Sequence, residues 1–543
     1  FWPVGPIFRR SGAFFLRRSF RGDPLYATMF RHYLIRLLEE GAMIEFFPEG
    51  TRSRTGKALK PRYGMVQMIL DAVISGHIEH LLFQPISVGY EKIIEGGSYR
   101  RESMGADKEA ESAASLLKAS TVLTSNYGRV YIEFSEPITL ADYMKRHQVD
   151  RDTCTPEQLR RLGVRLAHRI MYDIAEVTPV TPTSLVALAI LNAPAEIDRR
   201  YLQIEVGFVL QMLLDPARST RLSRPLRDAL EANAPDGLLE SIRTGEHHRH
   251  QRSHEERRAD DETLGRAVAA PLTQALALLE RNKSLTTTTV EGEVFYSAHR
   301  EQRTELNYYK NNVVHFFVPE ALLCCALLTE ANPGQQPLDE VHNRTLFLSK
   351  LFRYEFLYRE RQPGDNDTTR SRSQFEATFF ATLEHCQERG WLTWTHEPST
   401  IDLGPQTAPA LAYMRSLVLP WVEAYAFVSQ RLGRVLPAPT DDGGWMTEKA
   451  LMRELLRQGQ LAHARGDLLF FESLSKTTYL NAVRLFTDFG IIDVDHQPRG
   501  RRGKPTRVVR LDPQWHDSDM WFTYAEQIAI FTGPHRRKLT EVL

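Results

Sequence analysis

Two arginines, Arg52 and Arg54, follow directly on the turn-forming string Phe47-Pro48-Glu49-Gly50-Thr51. A guanidinium is permanently charged and presents a planar fork of donors, so two of them can grip a phosphate dianion bidentately, which a lysine point charge cannot do. Gly50 lets the backbone turn tightly, with Glu49 and Thr51 on either side of it. The apolar run Ala42 to Phe47, closed by Pro48, reads as a strand feeding that turn. An arbitrary Arg-x-Arg is usually a solvated loop; the ordered string around this one points to an anion pocket. A second basic group precedes it, because Arg9-Arg10 and Arg17-Arg18 bracket the small, apolar run Ser11 to Leu16 and so place cations at both ends of one element. Such side chains either aim into a cleft or snorkel from an amphipathic face. Further on, Leu81 to Tyr90 is an apolar strand that contains Pro85. Proline within a strand marks an edge, a bulge or a strand start, and such places often line a site.

Strand and helix signals alternate around these groups. Tyr26 to Leu38 reads as a helix ending at Gly41, the strand Ala42 to Phe47 follows, and Tyr63 to Ser75 reads as a helix ending at Gly76. Strand Leu81 to Gly89 comes next, and Val130, Ile132 and Phe134 alternate with polar neighbours as a half-buried strand. The pattern predicts an α/β fold over residues 1–150, a mixed sheet flanked by helices. From Thr155 the chain turns helical, with the proline-rich Val177 to Ser184 as a joint. The helical region spans 151–440 in this reading. Within it Ile242 to Arg266, with His247, His248, His250 and His254, lacks apolar support and is expected to be a solvated linker or exposed insertion, with no metal bound. The tail, 441–543, shows helices Thr447 to Gln458 and Lys476 to Phe489, then a hairpin from Ile491 to Asp495 and Thr506 to Leu511 whose turn is the basic Arg499 to Lys504. That is a winged-helix outline, which can bind nucleic acid. The second helix carries few cations, so a structural or protein-contact role is expected, with no nucleic acid.

A length of 543 residues implies two or three domains, and 42% hydrophobic residues supply real cores. The net charge is zero but uneven: Arg9 to Arg62 carries 12 Lys/Arg against 5 Asp/Glu. A basic lobe of this kind suits anionic substrates and an anionic bilayer. No run of 18 apolar residues occurs, so no transmembrane helix is expected and membrane attachment would be peripheral. Tyr26 to Leu38, Ser184 to Leu191 and Ala408 to Val428 have apolar faces better suited to core packing than to an interface. The cysteines, Cys154, Cys324, Cys325 and Cys386, show no Cys-x-x-Cys spacing and are expected to be reduced thiols in a cytosolic compartment.

Gly12 to Arg18 (GAFFLRR), Phe47 to Arg54 (FPEGTRSR) and Gln84 to Tyr90 (QPISVGY), in that order, resemble the second, third and fourth sequence blocks of the glycerol-3-phosphate acyltransferase family, in its large bacterial membrane-associated form. The likeness continues through Tyr127 to Tyr143 and into Asn307 to Phe317 (NYYKNNVVHFF), which is similar to the start of a helical C-terminal region in that family. The resemblance implies an α/β acyltransferase domain followed by a mainly α-helical region. It implies transfer of a fatty acyl group from CoA or acyl carrier protein to glycerol 3-phosphate at the cytoplasmic face of the inner membrane, without metal or redox cofactor. By the same resemblance Arg17, Arg18, Glu49, Gly50, Thr51, Arg52 and Arg54 bind the acceptor and Pro85 shapes the pocket wall. Thr51 stands where the bacterial enzymes often carry a second glycine. Dihydroxyacetone phosphate or 1-acylglycerol 3-phosphate therefore remain alternative acceptors, and a non-catalytic scaffold remains an alternative function.

The family's first block, His-x-x-x-x-Asp, is not found ahead of Gly12. The resemblance thus implies an N-terminally truncated copy whose catalytic dyad is expected upstream of Phe1, and which on its own transfers no acyl group. His147 with Asp152, and His168 with Asp173, fit the spacing but follow the fourth block. On a helix, residues five apart diverge by about 140° at roughly 3.6 residues per turn, so His168 and Asp173 are not expected to bond. A base must reach the proton it takes.

Overall fold

The computed structural model describes residues 4–17, 22–93, 128–193, 196–216, 218–249, 253–329, 334–358, 369–404, 408–436, 444–498, 505–516 and 519–535. Helix α1 (Val4–Arg10) leads to α2 (Pro24–Glu39), which Asp23 caps by accepting from the Tyr26 amide at 3.0 Å. Phe30, Leu34 and Ile35 form the buried face of α2, which packs on α3 (Gly64–Ile74). Gly41 and Gly76, at φ 74° and 82°, follow the ends of α2 and α3 as the sequence predicts.

Residues 42–47 do not form the expected strand. A strand exists through a neighbour's hydrogen bonds, and among the described residues this segment finds none. It keeps the alternation of an extended chain, with Ile44 and Phe46 against the core and Met43 and Phe47 facing out. The remaining strands, β1 (Leu82–Phe83), β2 (Ile86–Tyr90), β3 (Val130–Phe134) and β4 (Ile138–Thr139), form two antiparallel ladders, β2 with β3 and β1 with β4. The described residues thus form no mixed sheet, because the strand that would have joined one stays unpaired. Pro85 lies at the break between the ladders, where its carbonyl accepts from the Ser135 amide at 3.0 Å.

The face of β3 is the reverse of the one expected. Val130, Ile132 and Phe134 are exposed (56, 58 and 59%) beside Tyr90, Val88 and Ile86, whereas Tyr131 and Ser87 point inward. Close approach decides this. The inner face meets Thr178 and Pro179: Ser87 Oγ lies 3.2 Å from Thr178 Oγ1, and a Cβ on Gly89 would stand 2.8 Å from Pro179 Cγ. Where β2 meets these two residues it carries only the small Ser87 and Gly89.

Helices α4 (Leu140–Arg146) and α5 (Pro156–Glu176) complete this first core. Leu159, Leu162, Leu166 and Ile170 of α5 join Leu34, Val66 and Leu70, so this core draws on the chain on both sides of the exposed Asp150. Thr155 and Gln158 close a capping box at the start of α5.

A second core takes in residues from Ile93 to Phe531. It is built on one arrangement that occurs three times among the described residues. A helix opened by proline leads to a two-residue strand, then further helices, then a hairpin whose second strand pairs with that short strand. In the first unit these are α6 (Pro182–Asn192), β5 (Ile197–Asp198), α7 (Arg199–Leu213), then α8 (Arg224–Asn233), α9 (Asp236–Arg243), α10 (His254–Ala267) and α11 (Ala269–Arg281), with hairpin β6 (Thr286–Val290) and β7 (Glu293–Ser297). Helix α12 (Arg300–Asn311) leads to the second unit: α13 (Val318–Leu327), β8 (Gln336–Pro337), α14 (Leu338–Leu351), α15 (Thr369–Glu388), β9 (Thr393–Thr395) and β10 (Thr400–Asp402). After α16 (Ala408–Ser416) the third comprises α17 (Leu419–Val435), β11 (Met446–Thr447), α18 (Glu448–Arg465), α19 (Lys476–Asp488), β12 (Ile492–Gln497) and β13 (Thr506–Leu511), followed by α20 (Asp519–Ala529). The strand orders β5-β7-β6, β8-β10-β9 and β11-β13-β12 are the same.

The histidine-rich segment is not the exposed insertion expected. Helix α10 lies along α7, where a Cβ on Gly207 would stand 1.7 Å from the Asp261 carbonyl oxygen and one on Gly265 would stand 1.9 Å from that of Gln203. The two backbones therefore touch, and a helix with few apolar side chains packs through one glycine of its own and one of its neighbour. His247 is buried, and the side chains of His248, His250 and His254 lie outside the described residues, as does the basic turn 499–504. Cys324, Cys325 and Cys386 are buried and all four cysteines are free thiols. Ser184 to Leu191 is wholly buried, consistent with core packing.

Candidate anion-binding loop

The loop from Pro48 to Arg62 closes on itself. The Arg62 amide donates to the Pro48 carbonyl at 2.7 Å, the Gly50 amide donates to that of Phe47 at 3.0 Å, and the Leu59 amide donates to Glu49 Oε1 at 3.3 Å. Gly50 turns at φ 63°, and a Cβ there would stand 2.8 Å from Arg62 Cγ, so glycine is required both for conformation and for space. Thr51 and Arg52 are exposed at the tip. Arg54 is half-buried and its Nη1 donates to the main-chain carbonyl of Arg52 at 3.2 Å.

Beyond Arg54 the loop is held by the helical region. Asn311 Nδ2 on α12 donates to the Thr55 carbonyl at 2.7 Å. Gly56, at φ 82°, packs so closely on Tyr308 that a Cβ would lie 2.0 Å from the Tyr308 carbonyl oxygen. The Lys57 ammonium is buried, pairs with Glu355, and sits 4.6 Å from the centre of the Trp421 ring. Glu355 Oε1 in turn accepts from Tyr425 OH at 3.1 Å and Asn481 Nδ2 at 3.0 Å. Burial holds Lys57 below the usual lysine range, and Glu355 opposes that shift. Lys60 stacks on Tyr354 at 4.0 Å; burial first, then Arg484 and Arg353, bring it down to about 8. Two small cavities lie between loop and helices, one lined by Thr55, Lys57, Asn307, Asn311, Pro420, Trp421, Glu472, Ser475 and Thr478 and the other by Arg54, Thr55, Thr304, Asn307, Phe471, Glu472, Leu474 and Ser475. Thr55 Oγ1, Asn307 Oδ1 and Glu472 Oε2 are buried without a protein hydrogen-bond partner among the described residues, an arrangement suited to ordered water or a ligand hydroxyl.

Glu49 is the one carboxyl group of the loop. Burial pushes its carboxyl up to about 7, against the bond from the Leu59 amide. A raised carboxyl favours folding below its unfolded value, 4.5, and that advantage is lost as pH rises through 7. Glu49→Gln is therefore expected to stabilise the chain at pH 8 by about 2 kcal/mol and to leave it unchanged at pH 4. Urea unfolding at both pH values measures this, and an equal effect at both would contradict it.

The other candidates are placed differently. Arg17 does not aim at the loop: its Nη1 pairs with Asp23 Oδ2 at 2.5 Å, and its guanidinium lies over the Tyr26 ring at 4.5 Å. The carboxylate that caps α2 offers it a nearer partner. Arg18 lies outside the described residues. Pro85 is buried at the break between the ladders. Of the decoy pairs, His168 Nε2 bonds Tyr63 OH at 3.2 Å while Asp173 pairs with Arg169 at 2.7 Å. The His147 ring packs at a tilt on Tyr143, with ring centres 4.4 Å apart, and His147 meets Arg165 at 3.4 Å.

Sequence reasoning missed Lys57 and Glu355. Lys57 lies three residues beyond Arg54, but its burial has no sequence signature, and Glu355 lies 298 positions away. Asn311 was within reach, since it belongs to the Asn307 to Phe317 segment.

Residues 99–258 and 249–495 match the family described as the glycerol-3-phosphate acyltransferase C-terminal region, and residues 1–89 match the acyltransferase family. The chain is 31% identical over 373 residues to a glycerol-3-phosphate acyltransferase of Pasteurella multocida, which covers 67% of the chain and 41% of the relative. It is 32% identical over 344 residues to that of Pseudomonas putida (62% and 36%) and 33% identical over 333 residues to that of Aeromonas hydrophila (60% and 36%). The chain thus spans 36 to 41% of the length of these curated relatives.

Proposed function

Because the chain belongs to the glycerol-3-phosphate acyltransferase family, we propose that it is the acceptor-binding and helical part of an enzyme that acylates the primary hydroxyl of glycerol 3-phosphate to give lysophosphatidate. The acyl donor is a thioester of CoA or acyl carrier protein, and the reaction needs no metal or redox cofactor. The observation that carries the reading is the closed loop 48–62, which carries both Arg52 and Arg54, where they can hold the acceptor phosphate. Glu49, Gly50 and Thr51 shape that pocket; roles for Arg17, Arg18 and Pro85 in acceptor binding rest on the family resemblance. A histidine of the His-x-x-x-x-Asp block takes the proton of the hydroxyl, the aspartate orients its ring, and the alkoxide attacks the thioester carbonyl, whose C–S bond breaks to release the thiolate, which takes the proton back from the imidazolium. The gripped phosphate fixes the hydroxyl for that attack.

The shared strand order of the repeated units supports extending the winged-helix outline expected for the tail to all three. Helix α19, where such a module would contact nucleic acid, faces Glu355 through Asn481, which supports a structural role. Leu25 and Met29 on α2 are 73 and 62% exposed and Ile7 and Phe8 on α1 are also exposed. With the basic surplus of the first 62 residues, they support peripheral attachment to the cytoplasmic face of the inner membrane. No described helix is long and apolar enough to cross a membrane.

Calorimetric titration of the chain with glycerol 3-phosphate tests the reading. Arg52→Ala is expected to weaken binding by about 10- to 100-fold, the worth of one or two charge-assisted hydrogen bonds. Unchanged binding would remove Arg52 from the pocket, and a clean preference for 1-acylglycerol 3-phosphate would favour that acceptor.

A further inference from the structure

A second group of cations lies at the far end of the same loop. Lys60 places its ammonium 4.0 Å from the centre of the Tyr354 ring, and the same ring has the Arg484 guanidinium at 4.4 Å and that of Arg353 at 5.1 Å. The three charges come from three places in the chain: the loop, the turn after α14, and helix α19. Asn481 Nδ2, one turn before Arg484 on α19, donates to the Tyr354 carbonyl at 3.2 Å and so holds that turn against the helix. Measured through the ring, each charge lies within about 10 Å of the other two, the length over which 0.1 M salt screens a charge. Their mutual repulsion is therefore not screened away.

The charges do not balance. The carboxylate that meets them is Asp488, one turn beyond Arg484, and it is engaged by Arg353 and by the Tyr354 hydroxyl. Among the described residues no ion pair joins Lys60 or Arg484 to a carboxylate, and Arg353 Nε is buried without a hydrogen-bond partner. Lys60 is half-buried, and burial, with Arg484 and Arg353 after it, depresses its ammonium, which Asp488 offsets only in part. Arg484 is exposed and the Arg353 side chain keeps 40% of its surface, so the place is open to solvent. Three cations against one carboxylate leave a surplus of two positive charges, which one phosphate dianion balances. A small anion can reach a half-buried ammonium and a buried Nε, whereas a carboxylate fixed on a partner protein's surface cannot.

We propose that Lys60, Arg353 and Arg484 form a second anion site, separate from Arg52 and Arg54, which takes a phosphate group of the acyl donor in its CoA form. This rests on the acyl-transfer reading above, in which two substrates meet: the acceptor brings one phosphate, and CoA brings others on its nucleotide. The guanidinium forks hold phosphate oxygens in pairs and the ammonium adds a point charge. Both sites sit on one closed loop, in which the amide of Leu59, next to Lys60, donates to Glu49, next to the turn at Gly50. The two ends of the loop thus hold the two substrates, and the second and third repeated units supply the donor half.

Calorimetric titration with CoA, glycerol 3-phosphate and inorganic phosphate tests the site. Lys60→Met with Arg484→Met removes the two cations that lack a carboxylate and leaves the Arg353–Asp488 pair in place, so the urea midpoint is expected to stay close to that of the parent chain. The double variant is expected to bind CoA more weakly by about tenfold or more and glycerol 3-phosphate as the parent does, while Arg52→Ala does the reverse. Arg484→Ala alone, at an exposed position, is expected to weaken CoA binding by about threefold to fivefold and serves as the second arm if the double variant fails to fold. Unchanged CoA affinity in the folded variants overturns the donor site, and so does an equal loss for glycerol 3-phosphate, which makes the cations part of the acceptor pocket. Inorganic phosphate is expected to compete with CoA only weakly; if it binds the parent as tightly as CoA does and is lost in the double variant, the site belongs to free phosphate and the donor assignment falls. If CoA binding behaves as expected while Arg52→Ala leaves glycerol 3-phosphate binding untouched, the donor site stands and Arg52 leaves the acceptor pocket. A parent chain that binds glycerol 3-phosphate but no CoA overturns the donor site alone.

Discussion

Glu320→Ala is expected to lower the unfolding free energy by about 3–5 kcal/mol, the range found when one partner of a buried charge network is removed. Glu320 opens α13 and is 3% exposed. It pairs with Arg218 and lies 3.5 Å from His385 Nδ1, while His385 Nε2 and Arg389 Nη2 both reach Asp215 at 2.9 Å. Five charged or titratable groups thus interlock α13, α15 and the turn after α7, and loss of Glu320 leaves Arg218 and His385 facing each other without a shared carboxylate. The deficit depends on pH. Burial works against charge on His385, but its bonds to Asp215 and Glu320 prevail and raise it above 6.5. Its contribution is present in full below pH 6.5 and is lost as pH rises through the raised value. For Glu320, burial is overcome by Arg218 and His385, so its carboxyl lies below 4.5 and its contribution is lost only as pH falls into the acid range. The variant should therefore lag the parent most near pH 6 and less near pH 9. Urea denaturation at the two pH values gives the result, and a loss below about 1 kcal/mol at both would show that the network contributes little.

Gly207→Ala should be nearly as damaging, by more than about 3 kcal/mol, although it adds only one methyl group. The new carbon would overlap the Asp261 carbonyl oxygen at 1.7 Å, and that oxygen belongs to the backbone of α10, which cannot rotate away as a side chain would. Gly265→Ala meets the reciprocal obstacle in α7. Gly237→Ala is the control, since nothing lies within 4 Å of its Cβ position in α9 and alanine is the better helix former by about 1 kcal/mol. Thermal unfolding of the three variants should move Gly207→Ala and Gly265→Ala sharply down and Gly237→Ala slightly up. Similar small shifts in all three would mean that the helices separate readily at this crossing.

The same crossing explains why the histidine-rich segment misled a reading by periodicity. Burial is usually signalled by apolar side chains, but α7 and α10 meet through backbone at Gly207 and Gly265, and an isolated glycine in a charged helix carries no pattern. The exposed Val130, Ile132 and Phe134 are the converse. Alternation fixes which residues share a face, but which face turns inward depends on what packs there, and Thr178 and Pro179 pack against Ser87 and Gly89.

What the sequence determined by itself was local chemistry. The string Phe47 to Arg54 has a turn that only glycine can make and two arginines two positions apart. The ends of α2 and α3, the break at Pro85 and the tail hairpin likewise follow from residue types acting over a few positions. Tertiary structure decided which of those groups work together. It drew Arg17 to Asp23, left residues 42–47 without a ladder, and fastened the arginine loop to Glu355, 298 positions beyond Lys57. A buried lysine must find its carboxylate wherever packing excludes water, and that place is defined by helices folded from the far end of the chain, which no local spacing encodes.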